Sequence, residues 1–482
     1  MRFEATPSTQ VNRMRLEEKL PKGIFTQETL SVLIHNLLAD FCKTNLVRRS
    51  SDKELGSNKL ELMAKESILM IKFFYQSFGL VLLLMITLLL NWTFVFRRVI
   101  SGLVLIFDVP IYSGTKSDKV KLENYLLSRR FDLDTSNKII VLSGRTPLKL
   151  KRFSSPLKNF YCLMLLLSLL DRRYRFEYTV LLIKRTWQSI LWIKIFPRHY
   201  RYLVLLLLEE PIGKVLTSSK KIDAIVTTNS QYLRQHAIFQ VSHTRKSPRS
   251  IMIWYSENSI PKKLTGQAIG FDYSHFREMQ VKEHFVWTEH FATFLRQFVN
   301  GAVSAVGEII LPARAYKTYT KEKIDVLILD VTPRSKAAKS TFYSADRTVK
   351  FLQDIESVVE KVALSRPISV ALKPKRPFGP NDDPKYILMV KNFAAKNPRV
   401  KFTLLNPKIE LSSLLDSTSV VVGIPYTSAL LICNQKETAR FYYMGDTQFE
   451  ASEMYQSIPI IRDLEALYER VAKSIGVKYG PE

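Results

Sequence analysis

The chain has 482 residues, with 71 Lys and Arg against 44 Asp and Glu, for a formal net charge of +27. That length exceeds one ordinary hydrophobic core and sets an expectation of two domains plus an extension. Its three cysteines, Cys42, Cys162 and Cys433, lie far apart in apolar settings, and no His-x-x-x-His or His-Glu-x-x-His spacing occurs; this argues against a disulfide framework and a metal set and for a reducing compartment.

The charge is uneven. Residues 321–482 hold 24 Lys and Arg against 19 Asp and Glu, and residues 1–320 hold 47 against 25. An anionic partner, either a membrane surface or an acidic polymer, is therefore expected at the N-terminal portion. Residues 1–72 read as helical, with an amphipathic piece from Glu28 to Phe41, and no signal peptide is expected because the apolar run starts too late. From Phe73 to Phe96 no charged residue occurs, and Lys72, Arg97 and Arg98 flank the run. It is long enough to cross a bilayer as a helix, with an anchor lying in one leaflet or a buried core helix as the alternatives. Residues 1–98 thus form a helical extension with a membrane segment at 73–96.

Val99 to Val109 is too short to cross and reads as the first strand of a soluble domain. Lys138–Ser143 is a second strand and Pro156–Leu170 a helix. Next, Arg172, Arg173, Arg175, Lys184, Arg185, Lys194, Arg198 and Arg201 interleave with Tyr174, Phe176, Tyr178, Trp187, Trp192, Phe196 and Tyr200. Cations among aromatics suit an anionic bilayer surface, or single-stranded nucleic acid, or plain solvated faces. The uncharged run upstream favours the membrane, and no nucleic-acid partner is expected.

From Ile222 the pattern becomes regular. Strands are expected at Ile222–Thr228, Ser250–Ser256, Glu283–Thr288 and Ala305–Leu311, with a helix over Glu289–Phe298. After a link at Ala315–Lys323 the cycle restarts with strands Ile324–Val331, Ile368–Pro377 and Lys401–Leu405, a helix Ile409–Leu415, and strands over Val420–Val422 and Ala439–Met444. Strands alternating with helices argue for α/β architecture: two Rossmann-like doubly wound domains, 99–315 and 316–482, facing a cleft. Polar residues just past strand ends line the crevice of such sheets. That selects Asn229, Ser230, Asn258 and Ser259, with Glu257, Asp272, His275 and Glu289 as alternative general bases that sequence does not separate. Neither G-x-G-x-x-G nor a Walker A sequence is present, which disfavours ordinary dinucleotide or P-loop chemistry.

In the second domain Lys373, Lys375 and Arg376 close one strand, Glu410 opens a helix, and Pro425, Thr427 and Ser428 follow another strand at a helix start. Cations and helix N-termini suit phosphates, and a carboxylate suits ribose hydroxyls. The stretch GIPYTSALLI, together with IMIWYSENSIP, HFVWTEHFATFLRQF, VALKPKRP and RFYYMGD, resembles the bacterial polysaccharide biosynthesis PFTS motif proteins and related surface carbohydrate biosynthesis proteins, with Tyr426 in place of Phe. The likeness runs from about Ile222 to the C-terminus. It implies a GT-B glycosyltransferase, independent of metal and of any cofactor, at the cytoplasmic face of the bacterial inner membrane. Its donor would be a nucleotide-sugar and its acceptor a capsule or O-antigen glycan, or a polyprenyl-linked one. The Lys-Pro-basic segment and Thr427-Ser428 are similar to the CMP-binding motifs of bacterial sialyl- and Kdo-type transferases, with Lys375 standing where those have histidine. A nucleic-acid-binding protein and a non-catalytic scaffold of the same fold are the competing expectations.

Overall fold

The computed structural model describes residues 102–107, 124–126, 128, 131, 133, 138–142, 176–181, 183, 222–228, 239, 248–254, 256–257, 263–264, 276–277, 279–309, 322–335, 343–407, 409–425, 427–432, 438–445, 449–450 and 458–477. The expectations for Glu28–Phe41, for the uncharged run 73–96, for the helix 156–170 and for most of the basic aromatic stretch lie outside these residues. Among the described residues no helix is long and apolar enough to cross a membrane.

The chain divides into two compact units. The first holds a six-stranded parallel sheet built from β1 (Leu103–Phe107), β2 (Lys138–Leu142), β3 (Ile222–Thr227), β4 (Arg249–Ile253), β6 (Glu283–Val286) and β7 (Ala302–Ala305), in the order β2-β1-β3-β4-β6-β7. The final strand forms at Ala302–Ala305, ahead of the Ala305–Leu311 expected from the apolar pattern. Gly301 sets its start: a Cβ there would lie 2.5 Å from the Lys282 carbonyl oxygen, so only glycine lets the two backbones come this close. Helix α1 (Glu289–Arg296) connects β6 to β7. Thr288 caps it by accepting from Phe291 N at 3.2 Å, and Phe291, Phe294 and Leu295 are buried.

The second unit holds β8 (Ile324–Leu329), β9 (Ile368–Lys373), β10 (Val400–Leu404), β11 (Thr418–Gly423), β12 (Ala439–Tyr443) and β14 (Ile460–Ile461), all parallel. Their order, β10-β9-β8-β11-β12-β14, is that of a dinucleotide-binding Rossmann sheet, in which the order reverses between the first and fourth strands. Every residue of β8 is buried, as a central parallel strand covered on both faces requires.

Helix α2 (Ala345–Ala363) lays Phe351, Ile355, Val358, Val359 and Val362 against Val326, Ile328 and Val370. Two further helices, at Pro384–Asn392 and Leu464–Ser474, escaped the sequence pattern. Helix α3 (Pro384–Asn392) starts with Asp383 accepting from Lys385 N at 2.9 Å and a proline in its first turn, and it buries Tyr386 and Val390. Two short helices, α4 (Leu411–Leu415) and α5 (Ala429–Ile432), flank β11. Helix α6 (Leu464–Ser474) closes the unit and is capped by Asp463. A two-stranded antiparallel ribbon, β5 (Lys263–Leu264) with β13 (Phe449–Glu450), also belongs here, because residues 256–271 fall in the second unit.

Candidate functional site

Ligands of open parallel sheets bind outside the carboxyl ends of the strands where the strand order reverses. In the second unit that place is the gap between β8 and β11. The register pairs Leu329 with both Lys373 and Gly423, so the residues that follow these three lie side by side at one edge. They are Asp330 after β8, Pro374 through Arg376 after β9, and Ile424, Pro425, Thr427 and Ser428 after β11.

The PYTS stretch is tied down from several directions. Tyr343 Oη donates to the Pro425 carbonyl at 3.1 Å, and Tyr442 Oη donates to the Thr427 carbonyl at 2.7 Å. Pro425 and Thr427 are buried. Ser428 Oγ accepts from Glu257 N at 3.0 Å and lies 3.2 Å from Ser256 Oγ. Glu257 is 1% exposed. Of the four candidate bases it is therefore the one whose place beside the PYTS stretch is described. Glu289 is exposed in the first turn of α1 and pairs with Arg296, while Asp272 and His275 lie outside the described residues. Asn229, Ser230, Asn258 and Ser259 also lie outside them. Gly423 permits the tight approach that follows β11, since a Cβ there would meet Leu430 Cδ1 at 2.2 Å.

The three cations differ in what they do. Arg376 donates to the Thr332 carbonyl at 2.8 Å and pairs with Asp382 at 3.4 Å, which ties it to the loop after β8 and to its own. Lys373 donates to the Pro407 carbonyl at 3.2 Å, and burial lowers its pKa. Lys375 has no hydrogen-bond or ion-pair partner among the described residues. It retains solvent exposure even though surrounding protein desolvates its ammonium; that desolvation first, and the Arg376 charge second, lower its pKa. Glu410 is exposed at the start of α4, its side chain making no capping bond. Lys375 is thus the one of the three cations not engaged by another described residue. The four described residues of α5 are too few to supply a strong helix-end field.

Asp330 is the site residue that the sequence pattern concealed, because it sits at the end of the apolar run IDVLILDV and was absorbed into the strand. It is 4% exposed. Tyr386 Oη donates to its Oδ2, and Oδ1 has no partner beyond the residue's own backbone N–H. Burial raises its pKa from 3.8 to about 7, against the opposing pull of the Tyr386 bond, its own N–H and the Arg376 charge. The rule applied to Glu257, that polar residues past strand ends line the crevice, would also have selected it. Around Asp330 the loops after β8 and β9 are joined by Ser335 N donating to Asn381 O at 3.0 Å and Asp383 N to Pro333 O at 3.1 Å, while within the β9 loop Gly379 N donates to Asp382 Oδ2 at 2.8 Å.

Residues 190–471 match the family model described as Polysaccharide biosynthesis PFTS motif protein. No curated protein matches the chain in sequence. Among solved structures, the chain is similar to a chain of a Glycosylation Associate Protein complex from Streptococcus agalactiae, with 11% identity and a TM-score of 0.33 over 56% of this chain. It spans about half the length of that protein, 52%. It is also similar to UDP-GlcNAc 2-epimerase from Neisseria meningitidis bound to UDP-GlcNAc, with 10% identity and a TM-score of 0.37 over 78% of this chain and 95% of the other. A third similar structure is α,α-trehalose 6-phosphate synthase from Burkholderia multivorans, with 11% identity and a TM-score of 0.39 over 79% and 92% of the two chains.

Proposed function

This chain belongs to the polysaccharide biosynthesis PFTS motif family, and we propose that it is a GT-B-type glycosyltransferase of bacterial surface polysaccharide assembly. The observation that carries this reading is the bonding of Ser428, in the PYTS stretch after β11, to the backbone of Glu257, a buried residue, in the unit whose strand order reverses between β8 and β11. A nucleotide-sugar, a CMP-sugar being one candidate, donates its glycosyl group to a capsule, O-antigen or polyprenyl-linked glycan. Glu257 takes the proton from the acceptor hydroxyl as that oxygen bonds to the anomeric carbon. The bond from that carbon to the nucleotide phosphate breaks, and the phosphate charge that develops falls to Lys375, with Lys373 and the PYTS backbone beside it. The enzyme works at the cytoplasmic face of the inner membrane, where the basic first 320 residues face anionic lipid and a lipid-linked acceptor.

The test is transfer of radiolabelled sugar from CMP-, UDP- and GDP-sugars to membrane-extracted acceptor by the full-length protein. One donor class should support transfer. Glu257→Gln should lower turnover by about two orders of magnitude or more, the usual scale of a lost general base, while the donor still binds. Full transfer by that variant would remove Glu257 from the chemistry. Binding without transfer from any donor would favour a scaffold.

A further inference from the structure

Seven large apolar side chains are exposed among the described residues, and three of them, Phe176, Val180 and Ile183, fall within one short segment of the first unit. Residues 176–181 and 183 are helical, so the spacing of four and then three places these three within about 60° of one another around the helix axis. Tyr178 sits on the opposite side and is fully buried, and that burial raises its pKa. The helix is therefore anchored by Tyr178 with its apolar stripe turned outward, the reverse of a core-facing amphipathic helix. The remaining exposed apolar residues, Leu364, Leu388, Leu404 and Leu464, lie on different elements and form no comparable stripe.

We infer that Phe176, Val180 and Ile183 form a docking face for an anionic lipid bilayer. Charge selects this occupant. Arg172, Arg173 and Arg175 precede the stripe and Lys184 and Arg185 follow it, against Asp171 and Glu177 alone, and Tyr174 and Trp187 are aromatics suited to the headgroup level. An apolar stripe with cations and aromatics before and after it in the sequence suits insertion of its hydrocarbon between acyl chains while basic side chains meet lipid phosphates. The inference stands apart from the transferase reading, since it needs neither a donor nor a turnover step.

The experiment uses the full-length protein with Cys42, Cys162 and Cys433 changed to serine and one new cysteine at Phe176, Val180 or Ile183, carrying an environment-sensitive nitrobenzoxadiazole label. All three sites are exposed, so at least one labelled variant should keep the parent melting curve. Reconstituted with vesicles containing phosphatidylglycerol, the label should shift its emission to the blue and be quenched by nitroxide lipids. A label at Leu388, exposed on α3, should do neither, and pure phosphatidylcholine should weaken the response at the stripe. A water-like emission at the stripe in anionic vesicles would overturn the inference. So would a blue-shifted emission already present without lipid, which would point to a second copy or a protein partner covering the face.

Discussion

His284 in the first unit and Asp330 in the second are both buried side chains, one 1% and the other 4% exposed, and burial gives the two units opposite responses to pH. His284, on β6, accepts from Trp254 Nε1 at 3.1 Å; desolvation lowers its pKa from 6.5 to about 4, against a backbone bond to Val281 that raises it. The unfolded chain takes up this proton below about 6.5 and the folded unit resists doing so until about 4. The stability that His284 gives is complete above that window and is lost as pH falls through it. For Asp330 the folded group holds its proton up to about 7, whereas the unfolded one releases it near 3.8. Its stability is complete at the acid end and is lost as pH rises through 7. His284 is a core residue packed on Trp254, whereas Asp330 stands where the second strand order reverses. A buried ionisable group is thus a clue to a site only in combination with its place in the sheet.

The largest expected effect tests this opposition directly. Asp330→Asn should remove from the second unit the loss that rising pH brings, on the order of a few kcal/mol between about pH 4 and 7, and leave the first unit unchanged. His284→Gln should remove the acid loss from the first unit alone. Peptide-resolved hydrogen exchange, corrected for intrinsic rates, separates the two units. Loss of protection by both units on the same direction of pH change would break the comparison.

Two glycines sharpen it on steric grounds. At Gly301 an added Cβ meets the Lys282 backbone, which cannot move without disturbing β6 and β7, so Gly301→Ala should cost about 1–3 kcal/mol. At Gly423 the obstacle is the end of the Leu430 side chain, which can turn away, and Gly423→Ala should cost less. Melting temperatures of the two variants give the order. Tyr386→Phe should cost about 1–2 kcal/mol by stripping Asp330 Oδ2 of its donor, and it should move the alkaline transition to higher pH, because that bond holds the Asp330 pKa down. The smallest effect belongs to the exposed pair Lys361–Glu465, at 2.9 Å: Glu465→Gln should change stability by under about 0.5 kcal/mol.

Much of both sheets was legible in sequence because fully buried parallel strands leave runs such as Val420–Val422 and Ile324–Leu329, and α2 shows its 3.6 period plainly. The Asp383-Pro384 start of α3 was legible too, as a cap followed by an N1 proline, but it was overshadowed by the basic cluster before it. The two-residue strands β5, β13 and β14 carry too little pattern to be read. At the site, the PYTS stretch and Lys375 could be found from residue types alone. The engagement of Arg376 with Thr332, the burial of Asp330 and the bond between Glu257 and Ser428 depend on contacts across 44, 56 and 171 residues, and no local pattern encodes them.

The central claim is that the carboxyl edge of the second sheet binds a nucleotide through Lys375, with Arg376 serving the loop. Calorimetric titration of the full-length protein with CMP, UDP and GDP, repeated on Lys375→Ala and Arg376→Ala, tests it most directly. One nucleotide should bind, Lys375→Ala should weaken it about tenfold or more at an unchanged melting temperature, and Arg376→Ala should chiefly lower the melting temperature. Absence of binding by all three nucleotides, or undiminished affinity in Lys375→Ala, would contradict the account.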